Sequence, residues 1–63
     1  MIPFGELLKS YRLNKNWTVV YISGKMDIPY KTWVNWEKEL RTPPLYTQIM
    51  VMEKIERIWK ENK

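Results

Sequence analysis

The sequence contains no cysteine and no histidine. No disulfide can therefore stabilise the fold, a zinc or iron site is disfavoured, and Ser-His and Cys-His catalysis is excluded. No apolar run approaches the roughly 18 residues of a membrane-spanning helix, and the N-terminal MIPFGELLKS lacks the segments of a signal peptide. From these absences we expect a cytoplasmic protein that is not an enzyme, binds no metal or cofactor and has no membrane partner.

The length and charge of the chain favour a small domain with an anionic partner. Sixty-three residues make a single domain, 1–63, and so small a domain buries only about 60% of its unfolded surface. Aromatic burial or dimerisation must then supply stability. The chain contains eleven Lys and Arg residues and seven Asp and Glu residues, which gives a net charge of +4. This balance favours nucleic acid as the partner.

The first half of the chain has two helical patterns. Residues 3–14 predict a helix that begins at Pro3, because its apolar positions recur at i, i+3, i+4 and i+7, as Phe4, Leu7, Leu8 and Tyr11. Residues 19–25 are rich in β-branched side chains, which favour a strand. We nevertheless predict a short helix there, because Thr18 is a good N-cap and Trp17 can pack onto the helix that follows.

A turn at Met26–Pro29 separates this helix from a third, predicted over residues 29–39. Asp27 stands where the chain often adopts the left-handed conformation, and Pro29 suits a helix start. Trp33, Trp36 and Leu40 share one face on a 3.6-residue period. This face is predicted to pack into the core.

Residues 45–62 predict a C-terminal helix, either continuous or broken near residue 53. Ile49, Met52 and Ile55 should face the core. The surplus apolar residues near the terminus indicate a homodimer seam, formed by Met50, Ile58 and Trp59. The alternative is a monomer in which Trp59 folds back on Tyr46 or Phe4.

Residues 4–44 resemble the Cro/C1-type (XRE) helix-turn-helix domains of phage repressors and related bacterial regulators. The resemblance is carried by FGELLKSYR and WTVVYISGKMDIPYKTWVNWEKELRTPP, with Arg12, Thr18, Trp36-Glu37 and Pro43 at the family's positions. It implies an all-α, four- to five-helix lambda-repressor-like bundle, with the helix-turn-helix at about 18–39. It also implies a transcriptional repressor that binds double-stranded DNA at a palindromic operator.

Three positions depart from the family pattern. Val19 stands where the family usually has a Gln that contacts a phosphate and braces the recognition helix. Ser23 replaces the usual Ala, and Asp27 the usual Gly. Of these, only Val19 removes a function, because its side chain can form no hydrogen bond.

The resemblance and the helix geometry together predict the DNA-contacting residues. The first turns of the recognition helix face the major groove, so Tyr30, Lys31, Thr32 and Asn35 form the base-reading set. Phosphate contacts are expected from Lys15, Thr18, Lys38, Arg41 and Thr42. In the family the helix-three Glu pairs with the helix-one Arg, which implies a structural ion pair between Arg12 and Glu37.

The alternative to DNA binding is a protein-interaction module, such as an antitoxin or an inhibitor that reuses the helix-turn-helix fold. Val19 and the aromatic residues that the pattern leaves exposed favour this alternative. A fold does not by itself decide function, so both possibilities stand at this stage.

Overall fold

The computed structural model describes residues 2–61, which form four helices and no strand. The helices are α1 (Phe4–Asn14), α2 (Val19–Lys25), α3 (Tyr30–Glu37) and α4 (Leu45–Glu61). The predicted all-α class is confirmed. Residues 2–61 contain four helices, within the predicted number of four to five. The predicted end of the last helix, residue 62, lies outside the described residues, and so do residues 1 and 63 that bound the predicted domain. α4 is continuous and has no break near residue 53.

α2 is a helix despite its β-branched sequence. The Thr18 hydroxyl oxygen accepts a hydrogen bond of 3.1 Å from the backbone N–H of Tyr21, which confirms the predicted N-cap. The Trp17 ring packs on the Tyr21 ring, with 5.9 Å between their centroids. Ile22 is fully buried on the inner face. The cap and this burial outweigh the intrinsic preference for a strand.

The first three helices end in the same way, with a non-glycine residue in the left-handed conformation. These residues are Asn16, Asp27 and Glu39, with φ angles of 59°, 58° and 61°. After each of them, a backbone N–H bonds to the carbonyl five residues earlier, at 2.9 to 3.1 Å, which is the Schellman arrangement. The prediction for Asp27 is confirmed.

Glu39 corrects the predicted end of the third helix. The left-handed turn at Glu39 ends α3 at Glu37, two residues before the predicted end at residue 39. Leu40 therefore leaves the face that carries Trp33 and is 70% exposed, so its predicted place in the core is wrong. Trp33 is fully buried and Trp36 is half-buried, as their spacing predicts.

The core contains residues from all four helices. Its buried apolar members are Leu8, Ile22, Met26, Trp33, Val51, Ile55 and Ile58. Ile55 confirms the prediction, and Met52 packs against this core. Ile49 does not, since it is 51% exposed. The buried face of α4 is centred on Val51 and Ile55, and two residues of separation place Ile49 about 200° away from Val51 on the helix.

α1 and α3 cross at Gly5, a contact that sequence reasoning missed. A Cβ atom on Gly5 would lie 2.1 Å from the carbonyl oxygen of Trp36 and 3.2 Å from that of Glu37. Only glycine therefore allows the start of α1 to lie against the end of α3. Gly24, on the exposed side of α2, has open space around the same position.

Replacing each glycine by alanine should change stability in opposite directions. Gly5→Ala forces the two helices apart and should lower the free energy of unfolding by about 3 kcal/mol, the upper end of ordinary overpacking costs. Gly24→Ala should raise it by about 0.5–1 kcal/mol, because alanine is the better helix former. Urea denaturation followed by tryptophan fluorescence measures both. Equal effects at the two positions would contradict the close crossing at Gly5.

Candidate nucleic-acid interface

α3 has one face in the core and one toward solvent. Trp33 and Glu37 lie on the inner face, and their side chains contact the rest of the domain. At about 100° per residue, Lys31, Asn35 and Lys38 fall within one narrow sector on the outer face. Both lysines are exposed and Asn35 is half-buried. The outer face of α3, together with its C-cap residue Lys38, thus carries two cations and an amide.

A polar cleft lies along one flank of this face. It has a volume of about 350 Å³ and is lined by Thr32, Asn35, Trp36 and Arg41. Three residues predicted to contact DNA are therefore brought together, although Arg41 comes from the connector after α3. The backbone explains their proximity, because the Asn35 carbonyl accepts hydrogen bonds from the N–H groups of Leu40 and Arg41 at 2.9 and 3.4 Å.

The other flank is a more apolar groove of about 480 Å³. Its lining residues are Arg12, Leu13, Asn16, Trp17, Thr18, Val19, Val20 and Tyr30. Tyr30 is 55% exposed and lies here, apart from the cleft that holds Thr32 and Asn35. Val19 packs against the core and Val20 is 71% exposed. The predicted base-reading set therefore spans α3 from an apolar side to a polar side.

Lys15 differs from the other predicted phosphate contacts, because its side chain turns inward. Its ammonium lies 3.8 Å from a Glu56 carboxylate oxygen, and 5.2 and 5.1 Å from the ring centroids of Tyr11 and Trp59. The side chain is only 9% exposed. Lys15 thus joins the end of α1 to α4 through an ion pair and two cation–π contacts. The remaining predicted phosphate contacts, Thr18, Lys38, Arg41 and Thr42, are exposed.

The three residues of the predicted dimer seam lie in different environments. Ile58 is in the core and only 8% exposed, which removes it from any seam. Trp59 folds back onto the domain, with its ring edge-on to Trp17 at 5.9 Å between centroids. Met50 is 56% exposed. The seam cannot be the surface that Met50, Ile58 and Trp59 were predicted to share.

The predicted pair between Arg12 and Glu37 is present and holds α3 in place. Arg12 Nε and Nη2 donate to the two carboxylate oxygens of Glu37 at 2.7 and 3.0 Å. Arg12 Nη1 donates to the carbonyl oxygen of Trp17 at 2.9 Å, just before α2. The Trp33 indole N–H donates to Glu37 as well. Sequence reasoning missed this last contact, although the i, i+4 spacing of Trp33 and Glu37 within one helix allows it.

The pair is shielded from solvent, since the Arg12 and Glu37 side chains are 12% and 8% exposed. The hydrogen bond with Glu37 raises the pKa of Arg12 above its ordinary value, against the opposing effect of burial. Arg12 therefore keeps its positive charge at neutral pH. A bidentate guanidinium–carboxylate pair also fixes orientation, so it sets the position of α3 relative to α1.

The net positive charge is concentrated in residues 7–36. This range contains five Lys or Arg residues and a single acidic residue, Asp27. α4 contains three Glu against two Lys and one Arg, and is neutral. Within residues 7–36, Arg12 and Lys15 are paired with Glu37 and Glu56, so the cations exposed to solvent in this range are Lys9, Lys25 and Lys31.

Removing one member of the buried pair should destabilise the domain strongly. Glu37→Gln leaves the Arg12 guanidinium without its counter-charge, and we expect a loss of about 3 kcal/mol in the free energy of unfolding. Arg12→Lys keeps the charge but loses the fork of hydrogen bonds, so it should also be costly. Glu53→Gln, at an exposed position of α4, is the matched control. Urea denaturation compares the three, and a Glu37→Gln effect no larger than the control would disprove the structural role.

No helix within residues 2–61 is long and apolar enough to cross a membrane. Over the same range, no group of three acidic side chains is placed to hold a metal ion.

The chain was compared with known proteins in three ways. A scan against protein-family models, a search of curated proteins and a search of solved structures each found no match.

Proposed function

We propose that this chain is a sequence-specific regulator that binds double-stranded DNA in the cytoplasm and acts as a repressor of the phage type. α3 enters the major groove and blocks access to the site that it occupies. The observation that supports the proposal most directly is that α3 has one face packed on the domain and one polar face toward solvent. Trp33 and Glu37 fasten one face to the body, while Lys31, Asn35 and Lys38 stand on the other.

The chemistry of the outer face suits base recognition. An α-helix fits the major groove of B-DNA, where each base pair presents a distinct pattern of donors and acceptors. The Lys31 ammonium can donate to O6 and N7 of guanine, and the Asn35 amide can pair with N6 and N7 of adenine. Thr32 adds a hydroxyl beside Asn35, and Tyr30 offers a ring to a thymine methyl group or a hydroxyl to a phosphate.

Phosphate contacts would come from both ends of this face. Arg41 lines the polar cleft beside α3, and Lys38 and Thr42 are exposed close to it in sequence. At the other end, Thr18 lies at the start of α2. The excess of positive charge in residues 7–36 would draw the phosphate backbone toward this side of the domain. Binding should therefore weaken steeply as salt concentration rises.

Selection from a pool of random-sequence duplexes tests the proposal. The wild-type protein should enrich one sequence class, and its affinity for that class should fall as salt rises. Lys31→Ala and Asn35→Ala should each cost about 1–3 kcal/mol on the selected site and relax preference at one base position. Lys60→Ala, on the neutral α4, is the matched control for lost charge. If no sequence is enriched, or if Lys60→Ala acts like Lys31→Ala, the proposal fails.

Lys15 and Lys38 should behave differently in the same assay. Lys38→Ala removes an exposed cation beside α3 and should lower the salt slope of log K by about 1. Lys15→Met should leave that slope nearly unchanged, because the Lys15 ammonium is already occupied by Glu56 and two rings. It should instead lower the urea midpoint. Fluorescence anisotropy at several salt concentrations gives the slope, and an equal loss of slope in both variants would contradict the assignment.

A protein-interaction module remains the second candidate, and one observation favours it. The groove beside Tyr30 exposes apolar side chains of Leu13 and Val20, which are 54% and 71% exposed. Val19 leaves that groove without the amide that would suit a phosphate. Under this alternative, Val20→Glu would abolish binding to a protein partner while Lys31→Ala would not.

A further inference from the structure

The first two turns of α4 expose a contiguous apolar surface, which we call the α4 patch. Its members are Leu45, Tyr46, Ile49 and Met50, which are 70%, 69%, 51% and 56% exposed. They recur at i, i+1, i+4 and i+5 and so share one side of the helix. This side is opposite the face that buries Val51 and Ile55. Nothing in the packing of residues 2–61 covers these four side chains.

A groove lies beside the α4 patch. It has a volume of about 220 Å³ and is lined by Met26, Ile28, Tyr46, Thr47, Met50, Val51 and Lys54. Met26 and Ile28 belong to the turn that leads into α3. The surface thus has a ridge, at Leu45 and Ile49, next to a recess with flexible methionine walls. A surface that is to bind a copy of itself needs both, because a twofold interface must be complementary to itself.

The charge distribution favours a second copy as the occupant of this surface. Two copies would repel each other through residues 7–36, where the exposed cations Lys9, Lys25 and Lys31 outnumber the single anion, Asp27. α4 has three acidic and three basic residues, and the four patch residues are uncharged. The four patch residues therefore form a surface on which two copies of this basic chain can meet without charge repulsion, with the cation Lys54 at the border, in the lining of the groove.

We propose that the chain forms a homodimer through the α4 patch and its groove, with α4 of one copy against α4 of the other. Burial of the four patch residues would remove about 500 Å² of surface per copy from water, or about 1,000 Å² in total. This total is near the lower limit for a specific interface. The dimer is accordingly expected at the weak end of specific interfaces. The predicted homodimer is retained, but its seam moves from Ile58 and Trp59 to the start of α4.

The proposal has one consequence that rests on the proposed function. Two copies joined through α4 would present two α3 helices, and a palindromic operator offers two half-sites, about 34 Å apart, for such a pair. DNA bearing two half-sites would then bring two copies together at concentrations where the free protein is monomeric.

Sedimentation velocity of the full chain, without DNA, tests the dimer directly over a range of about 1–300 μM. The wild-type protein should shift from monomer to dimer across this range. Ile49→Glu puts a charge on the patch and should weaken the dimer at least tenfold. Ile2→Glu is the matched control, because it makes the same change at another exposed isoleucine outside the patch, which is 62% exposed against 51% for Ile49. Circular dichroism and the urea midpoint check that both variants are folded.

The outcomes separate the dimer from DNA binding. A dimer that Ile49→Glu weakens and Ile2→Glu leaves intact supports the patch, whatever the DNA assays give. A wild-type protein that stays monomeric throughout overturns it, and so does an equal effect of the two variants. If the dimer forms as proposed, Ile49→Glu should bind a duplex with one half-site as tightly as the wild type does. It should not show the wild type's higher affinity for a duplex with two half-sites. Loss of one-site binding as well would show that Ile49 acts on DNA contact rather than on dimerisation.

Discussion

The ion pair between Arg12 and Glu37 is the interaction on which the rest of this domain depends. The two residues are far apart in sequence, yet the guanidinium forms two hydrogen bonds with the carboxylate and a third with the carbonyl of Trp17. One side chain therefore joins α1, the start of α2 and the end of α3. A pair this buried contributes little net stability. Its value here is geometric, because it allows only one orientation of α3.

The packing around this pair gives α3 a buried inner face and an exposed outer face. Gly5 lets α1 touch the backbone at the end of α3, and Trp33 occupies the centre of the core. Eight residues are too few to form a stable helix alone, so α3 exists because its inner face is held on two sides. Its outer side is then free to carry polar groups, such as Lys31 and Asn35, that add nothing to folding. This separation of scaffold from contact surface is what the proposed DNA binding requires.

Local sequence rules account for much of the fold. Periodicity and capping predicted all four helices, and the cap at Thr18 and the left-handed Asp27 follow from side chains that bond to their own backbone neighbours. The family resemblance implied the pair of Arg12 and Glu37. The exposed face of α3 was also predicted, since which residues share a helix face depends on spacing alone.

The sequence by itself determined where the helices lie, which residues cap them and which face of α3 is polar, because these follow from interactions within a few residues. Only the tertiary structure decided where α3 ends, which exposes Leu40. It also decided which side of α4 faces the core, which exposes Ile49 and buries Ile58. It also decided that Lys15 turns inward to Glu56. These outcomes depend on how whole helices pack. A two-residue difference in where α3 ends, or a rotation of α4, changes exposure without changing the local pattern.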